Sequence, residues 1–453
     1  MATETATETS LRRVIGLREL VAYGLLFISP TAIAAVVGPL YATSDGALVP
    51  VTVIATIGMA LTAVSYVRMS RAVPRAGSVF AYATEGIGPR AGFVAGWMML
   101  LDYLFIPSLA YLVAGLALHS ALPSVPAWVF TVAAVVLTSA CNMKGVRFAA
   151  WVGFVVLGVD IAALLLVCGA GLVTLAVHGA PHSWAFPLTG DGGLTLAALA
   201  GGASLTVLLF LGFDGIATFA EENNGDARVV GRATIIALVS AGLITLLFGY
   251  SAAMLQPITP AAMAADPAAQ DTAFYDALRV SLPSWVSTGF AVCKALGSVF
   301  LAMVGQAAAS RLLYGMARDR RLPAFLATVG KRSGAPIGAL CLAGGLTLIV
   351  ATAAASHPSG IEILSSTVNV GALTGFVAVN AAVIGYFTIR RTSHRRLAHL
   401  VVPAAGALVS AALLLSTSTP AKIVGGCWFV VGVIAACVHH QRRAVPERGG
   451  ELG

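Results

Sequence analysis

The chain has 453 residues, of which 58% are hydrophobic and only 10% charged, against roughly 25% charged in an ordinary soluble domain. So few charges cannot cover a soluble fold of this apolar content, which excludes a soluble enzyme, a disordered chain and a secreted disulfide scaffold. The formal net charge of +8 is explained by where the basic residues fall, and nucleic acid is not an expected partner.

A membrane span takes ~20 mostly apolar residues. Taken in chain order, the hydropathy predicts twelve transmembrane helices, at 20–42, 48–69, 89–118, 126–143, 149–177, 195–220, 231–256, 284–312, 336–356, 361–388, 398–416 and 420–440. The last two are parted by little more than Ser-Thr-Pro. The first segment is long, contains a Ser-Pro break and lacks a small-residue cleavage pattern, so it reads as a span and not as a cleavable leader. The six cysteines fall inside apolar stretches without CxxC or Cys/His spacing, the pattern of small buried side chains. No metal site or bound cofactor is expected.

Between these spans, all but three of the 27 Lys and Arg residues fall on one side. Arg279 and Lys422 lie on the other side, and Lys294 lies within a span. The positive-inside rule therefore predicts both termini in the cytoplasm and an even number of spans, with anionic lipid headgroups as natural neighbours. The longest stretches outside the spans, 1–19, 256–283 and 313–335, are too short to bury cores of their own.

Two spans carry helix-breaking chemistry at mid-depth. In span 1 it is Ser29-Pro30-Thr31, because proline removes a backbone donor and clashes with the preceding turn. In span 6 it is Gly212-Phe213-Asp214-Gly215, where two glycines weaken the helix around a carboxylate. Unwound backbone at this depth is tolerated only against protein or a watery cavity. The breaks lie five spans apart, so their helices run in opposite directions, as an inverted repeat of five spans requires.

Four charged residues lie well inside spans: Asp102, Asp160, Asp214 and Lys294. Each costs at least ~2.5 kcal/mol facing lipid and is expected to face the interior or a partner. Asp214 sits in the span 6 break, where it either meets a substrate ammonium or accepts hydrogen bonds from freed amides. Asp102 lies ~20 Å along span 3, in the outer half, where it either pairs with substrate, tunes an outer gate or makes a hydrogen bond between packed helices. Asp160 and Lys294 each lie ~15 Å from the start of their own spans, near the midplane. None of the eight histidines is at mid-depth, so an intramembrane proton carrier would be a carboxylate or Lys294. Phe213, Tyr103, Tyr111 and Tyr23 are gate candidates.

Several stretches resemble the amino acid–polyamine–organocation permeases, over essentially the whole chain: FLGFDGIATFAEENNGDARVVGRA (210–233), RAVPRAGSVFAYA (71–83), GWMMLLDYLFIP (96–107) and SRLLYGMARDRRLP (310–323). Gly96-Trp97, Leu101-Asp102-Tyr103-Leu104, Gly212-Phe213-Asp214 and Ser310-Arg311-Leu312-Leu313-Tyr314 are most similar to the putrescine-importer-like branch. The resemblance implies a leucine-transporter-like core of five plus five spans, about 20–177 and 195–388. Peripheral spans at 398–440 and cytoplasmic tails at 1–19 and 441–453 complete the chain. It implies a substrate site at Ser29, Pro30, Thr31, Asp102, Phe213 and Asp214, with Phe213 over the substrate. It also implies that spans 5 and 8 approach each other beside span 1, where Lys294 replaces a sodium ion, pairs with Asp160 and couples protonation to opening. Arg71, Arg75, Glu221, Glu222 and Arg228, with Arg232, would form a network closing the inner gate. The chain departs from the family pattern at three points. Ser29-Pro30-Thr31-Ala32 stands where many amino acid carriers have glycines. Ala34-Ala35-Val36 stands where putrescine importers tend to have an Asp. Gly225-Asp226 stands where a Pro is usual.

A membrane-embedded enzyme lacks support, since no HExxH motif or shared aspartate motif is present. A sensor would need a signalling domain. Gly-rich runs such as Gly201-Gly202 carry no P-loop lysine, which argues against an ATP-driven pump. The expected function is a multi-pass permease of the cell membrane. It would move an amino acid or another small amine-bearing solute by alternating access, driven by protons or exchange, with a diamine such as putrescine as the alternative substrate.

Overall fold

The computed structural model describes residues 11–121, 124–355, 360–417 and 419–444. Eleven helices among them are long and apolar enough to cross a membrane, and a shorter apolar helix, Ala127–Met143, fills the position of span 4. Its 17 residues reach about 25 Å, slightly less than the ~30 Å hydrocarbon core. Spans 2, 3, 5 and 7 are continuous over Leu48–Ala72, Pro89–Ala121, Val146–His178 and Arg228–Leu255. Spans 8, 9 and 10 follow over Ser284–Arg318, Ile337–Ala355 and Gly360–Val383, the last widening into a π-helical turn at Ile384–Arg390. Spans 11 and 12, Val402–Ser416 and Thr419–Ala444, are separate helices, as the short Ser-Thr-Pro break predicts.

Spans 1 and 6 are both broken. Span 1 runs as Leu17–Ile28, a 3-10 stretch Pro30–Ala35 and a short helix Val37–Thr43. Span 6 runs as Leu196–Val207, then turns at Leu211-Gly212 into a 3-10 helix over Phe213–Glu222. The two spans meet each other in the bundle, both packed against spans 7 and 8, with span 1 also against span 5 and span 6 against span 2.

Buried amides tie the remaining helices together, as expected where lipid gives helices no hydrophobic reason to associate. Asn380 of span 10 donates to Thr62 Oγ1 at 3.0 Å and accepts from Ser65 Oγ at 2.6 Å, both on span 2. Gln306 of span 8 donates to Ser139 and accepts from Asn142, both on span 4. Outside the bundle, Ile57, Trp151, Leu166 and Leu408 form part of an exposed apolar belt suited to lipid. All six cysteines are free.

Two stretches that read as connections are structured. Residues 11–16 are not a loose tail: Leu11 and Ile15 are buried, and the amides of Val14 and Ile15 donate to the Glu222 carbonyl. The connection between spans 7 and 8 folds into helices Pro260–Ala265 and Pro267–Ser281, which lie over the last helix of span 1. Gly38 is the point of closest approach, because any side chain there would strike the backbone of Gln270. Phe274 of this cap packs on Phe248 and Phe290, with ring centroids 4.6 and 5.4 Å away.

Candidate functional site

At Ser29 the backbone turns to φ 56°, and Pro30 then starts the 3-10 stretch without an N–H to donate. Gly212 sits directly opposite with φ 118°. A β-carbon on it would come within 2.8 Å of the Phe27 carbonyl carbon. Only glycine combines that dihedral with that approach. Gly212→Ala is therefore expected to lower stability by at least roughly 1–2 kcal/mol from backbone strain alone, read as a reduced Tm of the purified protein.

The turn places Asp214 at the centre of the molecule, fully buried. Its Oδ2 accepts from the Tyr103 hydroxyl at 2.6 Å and its Oδ1 from the Gly212 amide at 3.2 Å. Asp102, one residue before Tyr103 on span 3, is also fully buried, and neither of its oxygens has a hydrogen-bond partner. The two carboxylates are close enough for their charges to interact. Among the described residues no Lys or Arg is ion-paired to either of them. On the span 1 side, Thr31 Oγ1 is buried without a partner.

Aromatic rings enclose this group. Phe213 meets Tyr66 edge-on at 5.7 Å and Phe376 at 5.5 Å, while Phe27 lies 5.8 Å from Tyr103. Ser29, Pro30 and Thr31 thus lie at one break and Phe213 and Asp214 at the other, Asp102 lies beside Tyr103 on span 3, and all six are buried. A cation enclosed here would find two carboxylates and several ring faces, a favourable combination for an ammonium in a dry site. Tyr111 lies apart, bonded to Thr138 at 2.6 Å.

On the basic face, Arg311 grips Glu222 with two parallel hydrogen bonds, through Nε to Oε1 and through Nη2 to Oε2, and it also donates to the Ala307 carbonyl. Both side chains are at most 3% exposed. The guanidinium lies 4.2 Å from the Phe219 ring, and Tyr23 stacks on that ring at 4.5 Å. Glu221 takes Arg318 at 2.7 Å and the Ala76 amide at 2.9 Å. Arg75 pairs with Glu85 at 3.1 Å and Asp319 at 3.8 Å.

The ion-pair network therefore differs from the sequence expectation in its cations. Glu221, Glu222 and the stretch around Arg75 take part, but Arg228 turns to Asp226 at 3.6 Å on the surface. Arg71 is exposed and lines a separate cavity. The partners of Glu222 and Glu221, Arg311 and Arg318, stand seven residues apart and so share one helix face. That spacing is visible in SRLLYGMARDRRLP.

The Asp160–Lys294 pair is also corrected, since no ion pair joins them. Side chains on a helix lean toward its N-terminus. Spans 5 and 8 run in opposite directions, so two residues at one depth lean apart. The Asp160 carboxylate lies against Gly297, one turn toward the basic face from Lys294, and its Oδ1 has no partner. Lys294 Nζ instead sits 5.6 Å from the Tyr275 ring of the cap.

The family model for amino acid permeases matches residues 19–448. The chain is 27% identical to the low-affinity putrescine importer PlaP of Escherichia coli over 98% of each chain. It is 25% identical to the branched-chain amino acid permease BcaP of Bacillus subtilis, over 84% of this chain and 82% of that one. It is 30% identical to an uncharacterized Mycobacterium tuberculosis transporter, Rv1999c, over 83% of this chain and 80% of that one. With two broken spans meeting at buried carboxylates inside a multi-pass helical bundle, and a family match running through nearly all of it, the chain belongs to the amino acid permease family and is a membrane transporter.

Proposed function

We propose that the protein is an alternating-access carrier of a small organic amine, and that the substrate class is a diamine of the putrescine kind. The observation carrying this reading is the pair of buried carboxylates, Asp102 and Asp214, with no cationic side chain paired to either. Burying two negative charges without compensation costs several kcal/mol per ion. A substrate bearing two ammonium groups removes that cost, and the surrounding rings add cation–π attraction. The 98% coverage of the putrescine importer supports the same class. A neutral amino acid is the second reading, favoured by the unpartnered Thr31 hydroxyl beside the span 1 break, which can donate to a substrate carboxylate.

In this reading the repeats are 20–177 and 195–388, and spans 11 and 12 are peripheral. The basic face is cytoplasmic and carries both termini, by the positive-inside rule in a cell membrane. The driving force is a proton gradient or exchange, with no bound cofactor. Asp160, a buried carboxylate with a free oxygen beside span 8, is the coupling candidate left once Lys294 turns away. Asp160→Asn is expected to blunt the response of uptake to an imposed pH gradient while leaving exchange intact.

The test is uptake into proteoliposomes of radiolabelled putrescine, with leucine as the comparison. Putrescine uptake competed by other diamines supports the first reading. Leucine uptake insensitive to diamines replaces it with the second, and uptake of neither removes both.

A further inference from the structure

A second charged cavity, of about 450 Å³, lies on the basic face and is distinct from the gate. Arg68 and Arg71 enter it from the end of span 2, and Arg391, Arg395 and His399 from the link between spans 10 and 11. No acidic residue lines it, and none of its four arginines has an ion-pair partner among the described residues. Nε of Arg68 is a buried donor with nothing to donate to. Four guanidinium groups held together without an anion repel one another, and a buried donor left unsatisfied costs free energy as well.

The backbone is shaped to make this cavity. Span 10 ends in the π-helical turn Ile384–Arg390, and span 11 opens with another, Leu397–Val401. Such widened turns are rare and often occur at functional sites. Within the second turn His399 Nδ1 is fixed to Ser393 Oγ at 2.8 Å, and its ring stacks on Phe387, which also lines the cavity. Arg391 stands over Tyr386 at 4.4 Å, which pre-orients its guanidinium. In the same two π-helical turns, Ile389, Leu397 and Val401 are exposed apolar side chains, a surface that suits acyl chains and not water.

From this juxtaposition of an arginine-lined, acid-free cavity with an exposed apolar flank, we infer that the junction of spans 2, 10 and 11 binds the phosphate headgroup of an anionic phospholipid. The guanidinium forks take the phosphate oxygens in the paired geometry that arginine favours. The acyl chains run along the Leu397–Val401 flank. A bound headgroup bridges span 2, which carries Tyr66 to the central site, to spans 10 and 11.

The experiment is a thermal-stability measurement on delipidated full-length protein in neutral detergent. The additions are phosphatidylcholine, phosphatidylglycerol or cardiolipin, and separately millimolar inorganic phosphate. Phosphatidylglycerol and cardiolipin are expected to raise the Tm by several degrees, and phosphatidylcholine and inorganic phosphate to leave it unchanged. In Arg68→Gln/Arg395→Gln most of the rise disappears. In Arg228→Gln/Arg332→Gln, which removes two exposed charges elsewhere on the same face, it persists. Should the first double variant fail to fold, Arg395→Gln alone, at an exposed position, is expected to lose about half the rise. A full rise in the cavity variants overturns the inference. So does a rise given equally by inorganic phosphate, which would make the site one for a soluble anion, or a rise given equally by phosphatidylcholine.

Discussion

Asp214→Asn is expected to weaken the proposed amine binding at least roughly 30-fold while leaving the protein folded. The side chain keeps its shape, and the Tyr103 hydroxyl can still donate to its remaining oxygen, but the charge that faces an ammonium is gone. Losing one partner of a desolvated charge pair costs about 2–5 kcal/mol, a loss of roughly 30-fold to several thousand-fold in affinity. Asp102→Asn is expected to act comparably, since its carboxylate is equally buried and has no other partner. Tyr103→Phe removes only the hydrogen bond that aims Asp214 and should weaken binding less. The measurement is ligand-induced stabilisation, which follows affinity directly, alongside uptake in proteoliposomes. Full putrescine stabilisation in Asp214→Asn would remove the carboxylate pair as the substrate site.

The second large effect is at the gate. Arg311→Gln leaves Glu222 as an uncompensated buried carboxylate at a position 1% exposed. Breaking a buried pair from one side costs about 3–5 kcal/mol. The loss extends to the cation–π contact with Phe219 and the bond to Ala307. A steep fall in Tm is expected for Arg311→Gln and for Glu222→Gln. The double variant should recover part of that loss, because it buries no charge at all. The same comparison at Arg318 and Glu221, which are more exposed, should give a much smaller effect. Equal stability of Arg311→Gln and the parent protein would mean that the pair does not hold the gate.

How far the sequence reads correctly depends on whether a feature is local. The spans are legible because a run of apolar residues fixes a helix by itself, and the breaks are legible because proline and paired glycines act where they stand. Asp214 at a break and the meeting of spans 1 and 6 follow from those two facts. Side-chain direction is not local. Asp160 and Lys294 share a depth, yet lean apart because their helices run oppositely. Arg228 is closer in sequence to Glu222 than Arg311 is, yet it starts a new helix and faces water. The structured connection at 256–283 and the docking of residues 11–16 depend on surfaces contributed by distant spans. The connection's helices do carry start signals, in the Thr259 and Asp266 side chains that accept from Ala262 and Ala269 ahead of Pro260 and Pro267, but nothing in the residues of either stretch shows where it docks.

The two faces are closed by different physics. The basic face is held by ion pairs around Glu222 and Glu221, and the opposite face by the rings of Phe248, Phe274 and Phe290 beneath the helical cap. Separating rings exposes apolar surface and so carries a positive heat-capacity change, whereas separating charged groups carries little of that signature. Apolar closure weakens on cooling. Under the proposed alternating access, the conformational balance is therefore expected to depend on temperature in a directed way, with cold favouring opening at the capped face and warmth favouring opening at the charged one.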